Sequence, residues 1–180
     1  MNINSLKQKI NTNPKIKKFI HFIMMNQRDS CPRKWIKLLN HFIFRYGKHS
    51  KIKRSAIMNI SPINSFAIGQ NSVIEHYSVI DNGVGTVYIG NDTFIGLRCT
   101  IIGPVEIGNK VILGQNIVLS GLNHNYQDID KAIKDQGVNV SSIHIGDGTW
   151  IGANSIITAG VHIGKHSVIG GGKCSYSINP

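Results

Sequence analysis

The sequence predicts an all-β solenoid, a parallel β-helix built from six-residue repeats, preceded by an α-helical extension. Three observations carry this. Aliphatic residues recur every six positions at Ile68, Ile74 and Ile80, again from Ile89 through Ile95, Ile101, Ile107, Leu113 and Leu119, and again from Ile145 through Ile151, Ile157, Ile163 and Ile169. Glycine follows many of them, at Gly69, Gly90, Gly96, Gly108, Gly114, Gly146, Gly152, Gly164 and Gly170. Four places after the aliphatic residue stands a small or β-branched one, as at Ser72, Ser78, Thr93, Cys99, Val111, Thr149 and Ser155.

A period of six fits neither a helix nor a plain alternating strand. It fits a chain that makes a short strand, turns and repeats. Three hexads complete one triangular coil, the aliphatic residue fills the core and the small residue points in beside it. Stacked coils then bury a continuous column and pair their strands in parallel. The phase slips by three residues around Gly83–Gly85 and is interrupted over 125–142, which reads as a loop excursion.

Residues 1–47 follow a different period. Ile16, Phe19, Ile20 and Ile23 recur at helical spacing, as do Trp35, Leu38, Leu39, Phe42 and Tyr46, with Pro32 between the two sets and Gly47 after the second. The organisation expected is a basic helical segment over 1–54, a β-helix domain over 55–172 and an aberrant stretch over 173–180.

Charge divides the chain in the same way. Of the 20 Lys/Arg residues, fourteen lie in residues 1–54 beside one acid, Asp29, so that segment carries a net +13 and the remainder a net −2. Such a segment suits an anionic partner. A basic face on packed helices and a helix lying on anionic lipid at the inner face of the membrane are both open readings. No recognised nucleic-acid-binding motif accompanies the charge, so nucleic acid is not expected as a partner. Cys31, Cys99 and Cys174 are odd in number and form no CxxC, which reads as reduced thiols in the cytoplasm. The longest apolar run, Phe19 to Met25, is too short to span a bilayer and is broken by His21.

The segments Ile107-Gly-Asn-Lys-Val-Ile-Leu-Gly-Gln-Asn-Ile-Val-Leu-Ser-Gly-Leu-Asn-His124 and Thr149-Trp-Ile-Gly-Ala-Asn-Ser-Ile-Ile-Thr-Ala-Gly-Val-His-Ile-Gly-Lys-His-Ser-Val-Ile-Gly170 resemble the hexapeptide acyltransferases, in particular the maltose, galactoside and bacterial surface-sugar O-acetyltransferases. The resemblance covers about residues 57–172 and rests on a coil ending in His, a loop excursion, and a coil opening Trp-Ile-Gly. It implies a left-handed β-helix, acetyl-CoA as co-substrate with no metal, a sugar acceptor, and a homotrimer with its sites between subunits. The implied activity is O-acetyl transfer; N-acyl transfer to an amino-sugar and an inactive, truncated β-helix are the alternatives.

The resemblance also names residues. The catalytic histidine falls on His124, where the repeat breaks and a side chain is free of the core. An imidazole suits removal of a proton from an acceptor hydroxyl near neutral pH. Trp150, Ala153 and Gly171 fall where the family meets the coenzyme, small residues letting the pantetheine arm lie flat. Asn123 and Tyr126 fall at the acceptor side, and Arg98 takes the place of an amide that family members hold near the histidine. The polar loop, with Asp128, Asp130 and Asp135, suits a sugar. A second reading of Trp150 is packing against the loop. His144 and His162 are eighteen apart and are expected to stack on successive coils as structural residues.

The repeat predicts a small residue at 173 and an aliphatic one at 175, where the chain has Lys173 and Ser175. A lysine in the column would bury an unpaired charge. With one possible choice of codons for Lys-Cys-Ser-Tyr-Ser-Ile-Asn-Pro, removing one base after Gly172 gives Asn-Val-Val-Thr-Gln-Ser-Ile-Pro, the pattern of the family the chain resembles. The expectation is therefore a frame-shifted, truncated C-terminus, with Tyr176 and Ser177 at coenzyme-contacting positions and reduced activity.

Overall fold

The computed structural model describes residues 13–24, 32, 33, 35, 36 and 44–175. The body is a left-handed parallel β-helix of about six turns. Each coil contributes one strand to each of three six-stranded sheets. The first sheet holds Arg45–Tyr46, Phe66–Ile68, Val87–Ile89, Val105–Ile107, Ile143–Ile145 and His162–Ile163. The second holds Lys51–Ile52, Val73–Ile74, Phe94–Ile95, Ile112–Leu113, Trp150–Ile151 and Val168–Ile169. The third holds Ile57–Asn59, Val79–Asp81, Thr100–Ile102, Val118–Ser120, Ile156–Thr158 and Cys174–Ser175.

Register follows the hexad. Leu113 sits over Ile95 and under Ile151, and Leu119 sits over Ile101 and under Ile157. The in-phase aliphatic residues from Ile68 to Ile163 are all buried in one cluster, and Ile169 packs against it half-buried. Glycine after the aliphatic residue lets the coils close up. A Cβ on Gly96 would lie 2.3 Å from the Gly114 carbonyl oxygen.

The small inward residue does more than save space. Ser72 donates to the Gly90 carbonyl (2.7 Å), Ser78 to that of Gly96 (2.8 Å) and Thr93 to that of Gly108 (2.8 Å). Each hydroxyl bridges one coil to the next, so its burial leaves no orphaned polar group.

Two corners turn through left-handed residues. The corner between the first and second sheets uses His49, Asn71, Asp92, Lys110, Gly148 and His166; that between the second and third uses Tyr77, Arg98, Asn116, Asn154 and Gly172. The third corner is irregular and absorbs the changes of phase. There the buried Asn82 accepts the Ser61 N–H at 2.6 Å and donates to the Ser61 and Asn64 carbonyls, each at 3.0 Å.

The start of the chain differs from the reading of residues 1–47 as helical. Helix Pro14–Met24 is present, opened by Asn13, whose side chain accepts the N–H groups of Lys15 (3.1 Å) and Ile16 (3.3 Å). This is an N-cap with proline at the first helical position. Trp35 and Ile36 are helical, whereas Leu38, Leu39 and Phe42 lie outside the described residues, as does Cys31. Arg45–Tyr46 is already a strand, with Tyr46 paired to Ile68, Ile52 to Ile74 and Met58 to Ile80. The first coil was hidden because the aliphatic register is taken there by Tyr46, exposed at the end of the column, and by the half-buried Met58, while Ile57 is exposed.

The far end also differs. Lys173 is exposed rather than buried. Its carbonyl accepts the Ile156 N–H at 2.8 Å, and Ser175 pairs with Ile157, so the coil continues to Ser175. Parallel pairing is made by backbone groups and does not require the side chains to match the repeat. Tyr176 and Ser177 lie outside the described residues.

Candidate functional site

His124 ends a strand that leaves the solenoid. Leu122–His124 pairs antiparallel with Val138–Val140, so the excursion is a hairpin rather than an irregular polar loop. His124 faces Val138 across the pair and its side chain is exposed. The hairpin is tied at its base by the Ser141 N–H, which donates to the Gly121 carbonyl at 3.0 Å.

Gln136, which sequence reading passed over, organises the far end. Its amide donates to the carbonyls of Asp128 (2.7 Å) and Lys131 (2.9 Å), and its oxygen accepts the Asp128 N–H (3.0 Å). Asp128 pairs with Lys131 at 2.6 Å and accepts the Asp130 N–H at 3.1 Å, so its carboxylate is already engaged within the loop. Asn123, beside His124, and Tyr126 are exposed on this hairpin, as are Ile129 and Ile133.

A second group of residues meets at the corner between the second and third sheets. Tyr77, Leu97, Arg98, Gln115, Asn116, Ala153 and Asn154 line a groove of about 530 Å³. Tyr77, Arg98, Asn116 and Asn154 are successive left-handed residues of that corner, and Asn116 donates its side-chain N–H to Asn154 at 3.2 Å. Asparagine tolerates this conformation, but tyrosine and arginine adopt it at a cost. The periodic signal that could have found the groove is the corner position itself, one residue before each small inward residue.

The wall above is flat. A Cβ on Gly114 would lie 2.8 Å from the Ala153 nitrogen, and one on Gly152 would lie 2.5 Å from the Gly171 nitrogen. The strand Trp150–Ile151 leads into this corner, with Trp150 between Ile112 and Val168 on the outer face of the second sheet. Phe94, Ile112, Trp150 and Val168 form an exposed apolar ladder there. Trp150 therefore lies on a different side of the coil from the corner at which the hairpin springs.

Thus Arg98, Ala153 and Gly171 share one corner with Trp150 beside it. Asn123, His124 and Tyr126 stand on a hairpin at another corner. Within one chain the third sheet, including Val118–Ser120, separates them.

The outer face of the first sheet carries a further set. His144 and His162 pair in register and stack at 4.4 Å between ring centroids, as their spacing predicts. His144 Nδ1 lies 3.1 Å from a Glu106 carboxylate oxygen. Among the described residues, no three His, Cys, Asp or Glu side chains converge as a metal-binding group.

Known proteins match the same parts of the chain. The family profile "Bacterial transferase hexapeptide (six repeats)" matches residues 142–173, and "Hexapeptide repeat of succinyl-transferase" matches residues 86–120, one on each side of the hairpin. Galactoside O-acetyltransferase of Escherichia coli is 32% identical over 108 residues, 58% of this chain and 51% of that protein. The enzyme of the same name from Lactococcus lactis is 29% identical over 108 residues, with the same coverage. The chain therefore spans about half the length of these curated relatives. In fold it is similar to an N-acyltransferase from Bacillus cereus solved with dTDP and coenzyme A, at TM-score 0.65 and 20% identity over 79% of this chain and 80% of that one. The chain thus carries hexapeptide repeats on both sides of the hairpin and is similar through its solenoid to the galactoside O-acetyltransferases.

Proposed function

We propose that the protein is an acetyl-CoA-dependent O-acetyltransferase acting on a sugar hydroxyl, with His124 as its general base and each site shared between two copies of a homotrimer. The observation that carries this reading is the division of the candidate residues between two corners. The hairpin supplies an exposed imidazole, while the opposite corner supplies a cation and a flat wall of small residues. Three copies around a threefold axis would bring the hairpin corner of one against the Arg98 corner of the next. Exposed Tyr126, Ile129 and Ile133 on the hairpin, and the ladder from Phe94 to Val168, suit such a contact.

The wall at Ala153 and Gly171 fits a pantetheine arm because no side chain larger than methyl rises from those positions. Acetyl-CoA supplies the activated acyl group. His124 would take the proton of the acceptor hydroxyl as its oxygen attacks the thioester carbonyl. Collapse of the resulting oxyanion breaks the carbon–sulfur bond, and His124 returns the proton to the leaving thiolate. Arg98 would hold the acceptor or the coenzyme through an anionic or polar oxygen.

Release of coenzyme A thiol with a panel of neutral sugars and amino-sugars tests the proposal. The wild type should release thiol with a hydroxyl acceptor, and His124→Ala should fall by about 10²–10⁴-fold. Equal rates in the two would remove His124 from its role. Product formed with amino-sugars alone would move the assignment to N-acyl transfer.

A further inference from the structure

Helix Pro14–Met24 exposes apolar side chains that the solenoid does not cover. Ile16 is 45% exposed, Phe19 64%, Phe22 56% and Ile23 41%. At about 100° per residue, Ile16, Phe19, Ile20 and Ile23 fall within one arc of about 100° and Phe22 extends it on one side. Lys15 and Lys18 are exposed on the same helix, which contains no acidic residue. The segment after it turns back onto its end. The Arg33 N–H donates to the Met24 carbonyl at 3.0 Å and its guanidinium to the Phe22 carbonyl at 3.2 Å. This places a third exposed aromatic residue, Trp35, two residues beyond the Arg33 contact, while Pro32 and Ile36 are buried.

We propose that this helix, with Trp35, docks flat on an anionic lipid surface. Two features select that partner. The segment of residues 1–54 carries fourteen Lys/Arg against one acid, which complements anionic headgroups. The exposed ridge of four large apolar residues requires an apolar phase beneath the headgroups. Nucleic acid would reward the lysines but not that ridge, since its backbone is bound by cations and hydrogen-bond donors. The eleven-residue helix is about 16 Å long, half of a bilayer's hydrocarbon core, so it lies on the surface and does not cross it. Docking here would hold the catalytic body beside an acceptor carried on lipid. It does not depend on the body being an acetyltransferase.

The test is flotation of the full chain with phosphatidylcholine vesicles, with and without phosphatidylglycerol, alongside Phe19→Ser/Phe22→Ser and Lys15→Glu/Lys18→Glu double variants. Recovery with anionic vesicles should exceed that with neutral ones and should drop about tenfold in both variants. Thermal melting of the β-helix should be unchanged in each. Equal recovery of wild type and the charge-reversed variant, or equal recovery with neutral vesicles, overturns the proposal. So does a wild type that stays unbound while retarding duplex DNA, or one that self-associates through the helix instead of floating.

Discussion

Ser78 and Cys99 are consecutive rungs of one ladder through the core: the Ser78 hydroxyl accepts the Cys99 N–H at 3.1 Å and donates to the Gly96 carbonyl at 2.8 Å. The Cys99 thiol then donates to the Gly114 carbonyl at 3.1 Å. Ser78→Ala removes one partner from two buried backbone groups, and should lower stability by about 1–3 kcal/mol. Cys99→Ser keeps a donor in place and should change stability far less. Urea denaturation of the two variants checks the difference.

Burial also pushes the Cys99 thiol above its ordinary pKa, partly offset by backbone N–H groups led by that of Ile117. A protonated, enclosed thiol is a poor nucleophile. In a Cys31→Ser background, Cys174, which is exposed, should react rapidly with a disulfide reagent at mildly alkaline pH. Cys99 should react when the protein is unfolded. Two fast thiols in the native protein would show that the core ladder opens.

The column from Ile68 to Ile169 was legible because one residue class recurs at one spacing and serves one purpose. Tyr46 and Met58 share that register in the first coil, Tyr46 exposed at its end, but a polar-tipped aromatic and a thioether do not announce it. The hairpin was legible as an interruption, yet its order was not. Gln136 organises it through three hydrogen bonds that no local pattern encodes. The groove beside Arg98 and Ala153 arises from residues one coil apart, and a corner position has no hydrophobic signal to mark it.

Asp147 closes a different ladder, along the corner between the first and second sheets. Asn91 Oδ1 accepts the Gln70 N–H at 2.9 Å, and Asn109 Oδ1 accepts the Asn91 N–H at 2.8 Å. Asp147 Oδ1 accepts the Asn109 N–H at 2.8 Å, and its other oxygen pairs with Lys165 at 3.1 Å. The Asn109 N–H, then Lys165, hold its carboxyl below the ordinary value of 3.8. Protonation therefore binds the unfolded chain more tightly than the folded one. The contribution is present above about pH 3.8 and is lost as pH falls through the folded-state value. Asp147→Asn should retain the ladder, as Asn91 and Asn109 do, while flattening the acid limb of the stability curve. Denaturation midpoints measured from pH 6 down to pH 2 (roughly the range over which a carboxylate titrates) check this; parallel curves would remove Asp147 from it.

The separation of His124 from Ala153 within one chain gives the sharpest test of a shared site. His124→Ala leaves the coenzyme wall intact, and Ala153→Phe places a ring on that wall while leaving the imidazole. Each variant should be inactive alone. If two copies build each site, mixing the variants through unfolding and refolding creates trimers in which an intact His124 faces an intact Ala153. At equal proportions three-quarters of the trimers are mixed and each holds one intact site of three, so activity should return to about one quarter of wild type. If instead one chain carried a complete site, no mixture would contain an intact one and the refolded sample would stay inactive. Thiol release measured before and after mixing distinguishes the two, with wild type carried through the same refolding to set the full scale.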